Sequence, residues 1–143
     1  MLFRSSQGTR RKVALASVYA MDPEIWLLDE PTGALDWRSA RETMELLREL
    51  NGAGKTIVLI THDMRLVAEH ARRCVVMSGG SIVADDETRS VFAQSDLFGI
   101  RPPAVWRISE ALNARPSALT TQDLCKVIGN QLVAESEIDV GRS

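Results

Sequence analysis

Two acidic residues, Asp29 and Glu30, close a short apolar run, Ile25-Trp26-Leu27-Leu28, and Pro31 follows them. A run that short, apolar on both faces, reads as a buried strand of a parallel sheet. In open parallel sheets ligands bind beyond the carboxyl ends of the strands, where these acids stand. Successive strand side chains point to opposite faces, so the two carboxylates suit different tasks. One can hold a metal-bound water while the other orients an attacking water, the division of labour that phosphoryl transfer needs. The plainer alternative is a pair of acids solvating a strand end. For an isolated Asp-Glu pair that alternative would be the better reading.

His62 follows a second apolar, β-branched run, Thr56–Ile60, within Ile60-Thr61-His62-Asp63. An imidazole at a strand end can donate a hydrogen bond to a phosphate oxygen without carrying full charge. Read alone, it is an ordinary helix-start residue, with Asp63 or Thr61 as the cap. Upstream, Ser6 and Gly8 precede a helix whose first amides form an anion site. Arg10, Arg11 and Lys12 crowd that same end. Cations there cost ~0.3–1 kcal/mol each without a negative neighbour, so an anion or acidic partner is implied. A solvated basic turn is the plain alternative. His70, inside a helical stretch, is read as solvated surface.

One segment imitates chemistry it cannot perform. Gly52-Ala53-Gly54-Lys55-Thr56 looks like the tail of a phosphate-binding loop, but Glu49 holds the position where that loop needs its first glycine. It also follows a helix and opens a strand, the reverse of the required order. The spacing predicts a helix-to-strand turn.

The elements that must position these groups follow from periodicity and breakers. A helix is predicted from Thr9 to about Ala20, ended by Asp22-Pro23. A second runs from Trp37 to Leu50, capped by Asp36 and stopped at Asn51-Gly52. A third spans Met64 to Ala71. Cys74–Met77 and Ser81–Ala84 flank Gly79-Gly80 as a hairpin. Past Arg101-Pro102-Pro103, helices are predicted over Ala104–Ala114 and Gln122–Ala134, the latter with Leu124, Val127, Ile128 and Leu132 on one stripe. Strands alternating with helices, then a hairpin, indicate an α/β sheet with a small antiparallel addition. Trp26, Trp37, Trp106, Cys74 and Cys125 are read as core or interface packing.

Composition bounds the answer. The 143 residues are 45% hydrophobic and 25% charged, with 17 Lys and Arg against 19 Asp and Glu, a net charge of -2. That balance argues against nucleic acid as the main partner. No apolar run approaches the roughly 18 residues of a membrane-crossing helix. Two cysteines are too few for a disulfide framework, which fits a reducing compartment.

Taken together, Ile25-Trp-Leu-Leu-Asp-Glu-Pro-Thr-Gly-Ala-Leu-Asp36 resembles the Walker B motif and D-loop of ABC-type ATPases. His62 is similar to that family's switch histidine. Ser5-Ser-Gln-Gly-Thr-Arg-Arg-Lys-Val-Ala-Leu-Ala16 resembles its signature segment, with Gln7 where the family has its first glycine. The stretch from Val75 to Asp85, with Gly99-Ile-Arg-Pro-Pro-Ala-Val105, is similar to energy-coupling-factor and cobalt-type transporter ATPases. The resemblance implies a partial P-loop NTPase-like parallel sheet with flanking helices, an antiparallel hairpin and a C-terminal helical extension. Residues 1–95 would be the later part of the ATPase domain and 96–143 the extension, with a frayed end.

The same resemblance implies ATP and Mg²⁺ as cofactors, Asp29 serving the metal, and Glu30 and His62 acting in catalysis. Ser6, Gly8 and Asp36 would bind nucleotide across a dimer interface. Implied partners are a second ABC ATPase subunit and transmembrane transporter subunits, on the cytoplasmic face of the membrane, with no nucleic acid. The expected function is the ATP-hydrolysing subunit, or a piece of one, of an importer for a metal ion or vitamin. No phosphate-binding loop occurs in the chain, so the chain alone is expected to be inactive. Two other readings compete with this one. A DNA-repair ATPase would need long heptads and a basic face, and neither is present. A degenerate, non-hydrolytic half-domain would explain the altered signature, though it has no need of Asp29, Glu30 and His62 together.

Overall fold

The computed structural model describes residues 7–129. They form two compact units, divided between His62 and Asp63. The first holds α1 (Gln7–Ala20), β1 (Ile25–Asp29), α2 (Trp37–Gly52) and β2 (Thr56–Ile60). The second holds α3 (Met64–His70), β3 (Arg73–Ser78), β4 (Ser81–Glu87), α4 (Thr88–Ala93), α5 (Ser95–Phe98) and α6 (Ala104–Ala111). Residues 121–129 are also helical.

In the first unit β1 and β2 pair in parallel, Ile25 opposite Thr56 and Asp29 opposite Ile60. Pairing continues past the strands, because the Glu30 N–H donates to the Ile60 carbonyl at 2.8 Å. The connection between them is α2, as parallel strands require. Asp36 caps it, its carboxylate accepting from Ser39 N–H at 2.9 Å and from the Ser39 hydroxyl at 2.9 Å. The helix ends where Ala53 N–H returns to the Glu49 carbonyl, and Gly54 takes φ +95° in the turn. That conformation is open to glycine without penalty.

Trp26, Met44 and Leu47 are buried and form the centre of this unit. The outer face is different. Ile25 is 65% exposed and Leu27 68%, and Val58 and Ile60 are exposed beside them. The sequence predicts strands buried on both faces; here α2 covers one face and the other is bare. Apolarity states what a side chain prefers, and nothing in the described residues of this unit packs against that face. Trp37 is exposed on α2, so of core or interface packing it does not take the core. Trp26 and Trp106 are buried as core residues, Cys125 is exposed, and Cys74 is half-buried, with burial pushing its thiol pKa up.

In the second unit β3 and β4 form the expected hairpin, with a bulge between Val76 and Met77. Gly79 and Gly80 both have positive φ, which a tight two-residue hairpin turn demands. Arg73 grips Asp85 across the pair through two bonds of 2.7 Å. The core gathers Ala68, Phe92 and Trp106, the two rings edge-to-face with centroids 5.6 Å apart. Buried Ser109 donates to the Trp106 carbonyl and accepts from Ala118 N–H. The helix predicted over Ala104–Ala114 stops at Ala111, where Asn113 turns to φ +52°. Of the final predicted helix, residues 130–134 lie outside the described part. Leu124, Val127 and Ile128 are half-buried, as the stripe predicts.

Candidate functional site

The carboxyl ends of β1 and β2 bring together residues far apart in sequence. Glu30 leaves β1 with φ +46°, in the left-handed region. For a residue with a side chain this costs of order 1–3 kcal/mol and persists only where the surroundings enforce it. The consequence is directional: the Glu30 side chain reaches the end of β2. His62 N–H donates to Glu30 Oε1 at 2.9 Å, and His62 Nδ1 lies 2.6 Å from the same oxygen. Thr61 Oγ1 donates to Oε2 at 3.2 Å. Partial burial pushes the Glu30 pKa up, but the donors on His62 and Thr61 outweigh it, and the carboxyl lies below the ordinary glutamate value.

That contact assigns the histidine tautomer. A carboxylate only accepts, so Nδ1 carries the proton and, in the neutral ring, Nε2 is an acceptor. The His62 side chain is 91% exposed. It can therefore donate to a phosphate oxygen through Nε2 only as imidazolium. The expectation of a neutral donor is thus narrowed: with Nδ1 on Glu30, the neutral ring offers an acceptor.

The strand-to-helix loop is tightly wound. Gly33 N–H bonds the Glu30 carbonyl at 3.1 Å, and Leu35 N–H bonds the Thr32 carbonyl at 3.2 Å. Ala34 takes φ +58°. This winding delivers Asp36 to the start of α2, where Ser39 N–H and hydroxyl hold its carboxyl below the ordinary value. Asp29, Glu30, Lys12, Leu15, Leu35 and Thr43 border a shallow cleft of about 200 Å³. Asp29 is exposed at the end of β1.

Lys12 lies 3.4 Å from Glu42 of α2, which supplies the acidic partner implied for the basic segment. Gly8 lies within the first turn of α1 rather than ahead of it, because the helix already includes Gln7. Ser6 lies outside the described residues. Lys55 of the imitation phosphate loop is engaged elsewhere, 2.9 Å from Asp22 and 3.7 Å from Glu24. Of the two candidate caps for α3, Asp63 does the capping, accepting from Arg65 N–H at 2.9 Å. Thr61 is the residue that sequence reasoning undervalued. Its only sequence signal is adjacency to His62.

Among the described residues no group of three or more His, Cys, Asp or Glu could hold a metal ion. A lone carboxylate at a strand end still fits Mg²⁺, which keeps several waters and binds through one or two carboxylates plus phosphate oxygens.

The chain is 42% identical over 128 residues to a putative ABC transporter ATP-binding protein of Methanosarcina acetivorans, covering 83% of this chain and 20% of that one. The chain matches ABC transporter ATP-binding proteins over part of their length. An energy-coupling factor transporter ATP-binding protein, EcfA2 of Methanospirillum hungatei, is 35% identical over 135 residues, covering 88% of this chain and 34% of that one. The chain thus spans about a fifth to a third of these relatives. No protein-family profile matches it.

ABC structures share the fold. The cassette MJ0796, in a dimeric post-hydrolysis state bound to ADP and Pi, superposes with TM-score 0.56 at 34% identity, covering 60% of this chain and 37% of that one. The cbiO1 protein of Clostridium perfringens, part of the ABC transporter complex cbiONQ, gives 0.54 at 31%, covering 77% and 44%. The resemblance to ABC ATPases, with cobalt-type and energy-coupling-factor relatives, is borne out, as is the α/β fold class. No described helix is long and apolar enough to cross a membrane.

Proposed function

We propose that the chain supplies the hydrolytic edge of an ABC-type ATPase that powers a membrane transporter of the energy-coupling-factor type, importing a metal ion or vitamin. The observation that carries this reading is the contact of Glu30 with His62, 2.6 Å between Oε1 and Nδ1, at the ends of two parallel strands. Glu30 would act as general base toward the attacking water, and His62 would steady it and face the phosphate. Asp29 would hold Mg²⁺. When bound, Mg-ATP supplies the phosphoryl group and the charge that compensates its transfer. Ser6 and Gly8 would reach nucleotide held by a second ABC ATPase subunit, with Asp36 at that boundary. In this reading residues 1–95 belong to the ATPase domain and 96–143 to a helical extension, and transmembrane subunits bind the assembly at the cytoplasmic face.

The 143 residues contain no phosphate-binding loop. The chain alone therefore has little to hold the β- and γ-phosphates and is expected not to turn over ATP. The test replaces the matching segment of the Methanosarcina relative with this chain. The chimaera should hydrolyse ATP, and Glu30→Gln in it should cost about 10²–10⁴-fold, the usual worth of a general base. A folded chimaera without turnover would favour the non-hydrolytic module, to which Gln7 in the signature segment also points.

A further inference from the structure

Glu30 is held through both carboxylate oxygens. Oε1 takes two donors from His62, and Oε2 takes the Thr61 hydroxyl at 3.2 Å. The last torsion of a glutamate is a broad, soft rotor, so donors at one oxygen alone leave the plane of the carboxylate free to turn. A donor at the second oxygen removes that freedom. Thr61 is suited to provide it. It follows β2 directly, and its β-branched side chain has few χ1 choices, so the hydroxyl is presented by the strand itself. A lysine or glutamine could reach the same oxygen only by ordering a long chain, at greater entropic cost.

We infer that Thr61 is a positioning residue whose hydroxyl sets the plane of the Glu30 carboxylate, and thereby holds His62 as the Nδ1–H tautomer with Nε2 turned outward. The inference rests on the reading of Glu30 as the base toward an attacking water, but its test needs no turnover. In the full chain, the ring nitrogens of His62 are followed by ¹⁵N NMR at about pH 8, where an ordinary imidazole is neutral. His70, the second of the two histidines, serves as the internal reference, and Glu30→Ala supplies the pattern of a released ring.

Wild type should show a single Nδ1–H tautomer. Thr61→Val should shift His62 toward the mixed-tautomer pattern of the released ring while the circular dichroism stays unchanged, and Thr61→Ser should restore the wild-type pattern. A folded Thr61→Val chain that keeps the single tautomer overturns the inference. If that variant does not fold, Thr61→Ala is measured in the same way. Should both hydroxyl-free variants unfold while Thr61→Ser folds, the hydroxyl serves the fold and the inference falls. Failure of the ATPase reading looks different: the ring pattern responds as described while the chimaera stays silent.

Discussion

Glu30 and His62 are 32 positions apart in the chain, yet Nδ1 of the imidazole lies 2.6 Å from the carboxylate. Two structural facts produce the meeting. Parallel pairing of β1 with β2 puts Asp29 opposite Ile60, so both strands end at the same level. The left-handed backbone of Glu30 then turns its side chain toward β2. A carboxylate fixed in this way is oriented before any ligand arrives, which is where a positioned group gains its effect.

Acid should weaken this arrangement. The folded-state pKa of Glu30 is lowered, so the stability it contributes is fully present above the ordinary glutamate range. That contribution declines as pH falls from the ordinary value through the lower folded one. Melting temperatures of wild type and Glu30→Gln, measured across that window, should converge toward low pH. Parallel curves would mean the carboxylate contributes nothing as an anion.

The core of the first unit depends on Trp26, which is 1% exposed. Trp26→Ala should cost about 3–5 kcal/mol in denaturant unfolding. Among the described residues its buried indole Nε1 finds no hydrogen-bond partner, a situation that itself costs about 1–3 kcal/mol. Trp26→Phe deletes that unpaired donor along with some ring volume, so its cost should be less than half that of Trp26→Ala. Equal costs would show that the indole N–H is satisfied in solution.

The bare face of β1 and β2 should make the chain associate. Ile25, Leu27, Val58 and Ile60 form a continuous exposed apolar surface, the kind that drives aggregation unless covered. Light scattering should rise with concentration, and Leu27→Lys should suppress the rise without changing the circular dichroism. Scattering that is low and unaffected by Leu27→Lys would mean the face is already covered.

Lys55 should prove irrelevant to phosphate. Its ammonium is committed to Asp22, which with Glu24 raises its pKa. Lys55→Met should lower the melting temperature slightly and leave any nucleotide binding measured by calorimetry as it is in wild type. A marked loss of affinity would restore the Gly54-Lys55 segment as a phosphate site.

Much of this architecture is legible locally. Thr56–Ile60 is rich in β-branched and apolar residues, and it is a strand over that same span. Asp36 three residues before Ser39 announces a helix start, and Asp36 caps α2. Gly79-Gly80 between alternating runs is a hairpin turn because both positions need positive φ. These features depend on backbone sterics and near neighbours, which the order of residues contains. Glu30 and His62 were each legible as functional candidates too, Glu30 directly after β1 and His62 separated from the end of β2 by Thr61 alone.

What only the tertiary structure decided is what each surface meets. Ile25 and Leu27 are as apolar as any core residue, and Trp37 carries a large apolar ring, yet all three are exposed. Burial is a property of the neighbour as much as of the side chain, and no local pattern names the neighbour. The same holds for Thr61. Its hydroxyl could cap α3 or reach across to β1, and the outcome was set by the +46° turn at Glu30, which puts an acceptor within 3.2 Å, while Asp63 takes the cap. Residue order determined the elements and the candidate chemistry; three-dimensional proximity determined which donor aims the carboxylate.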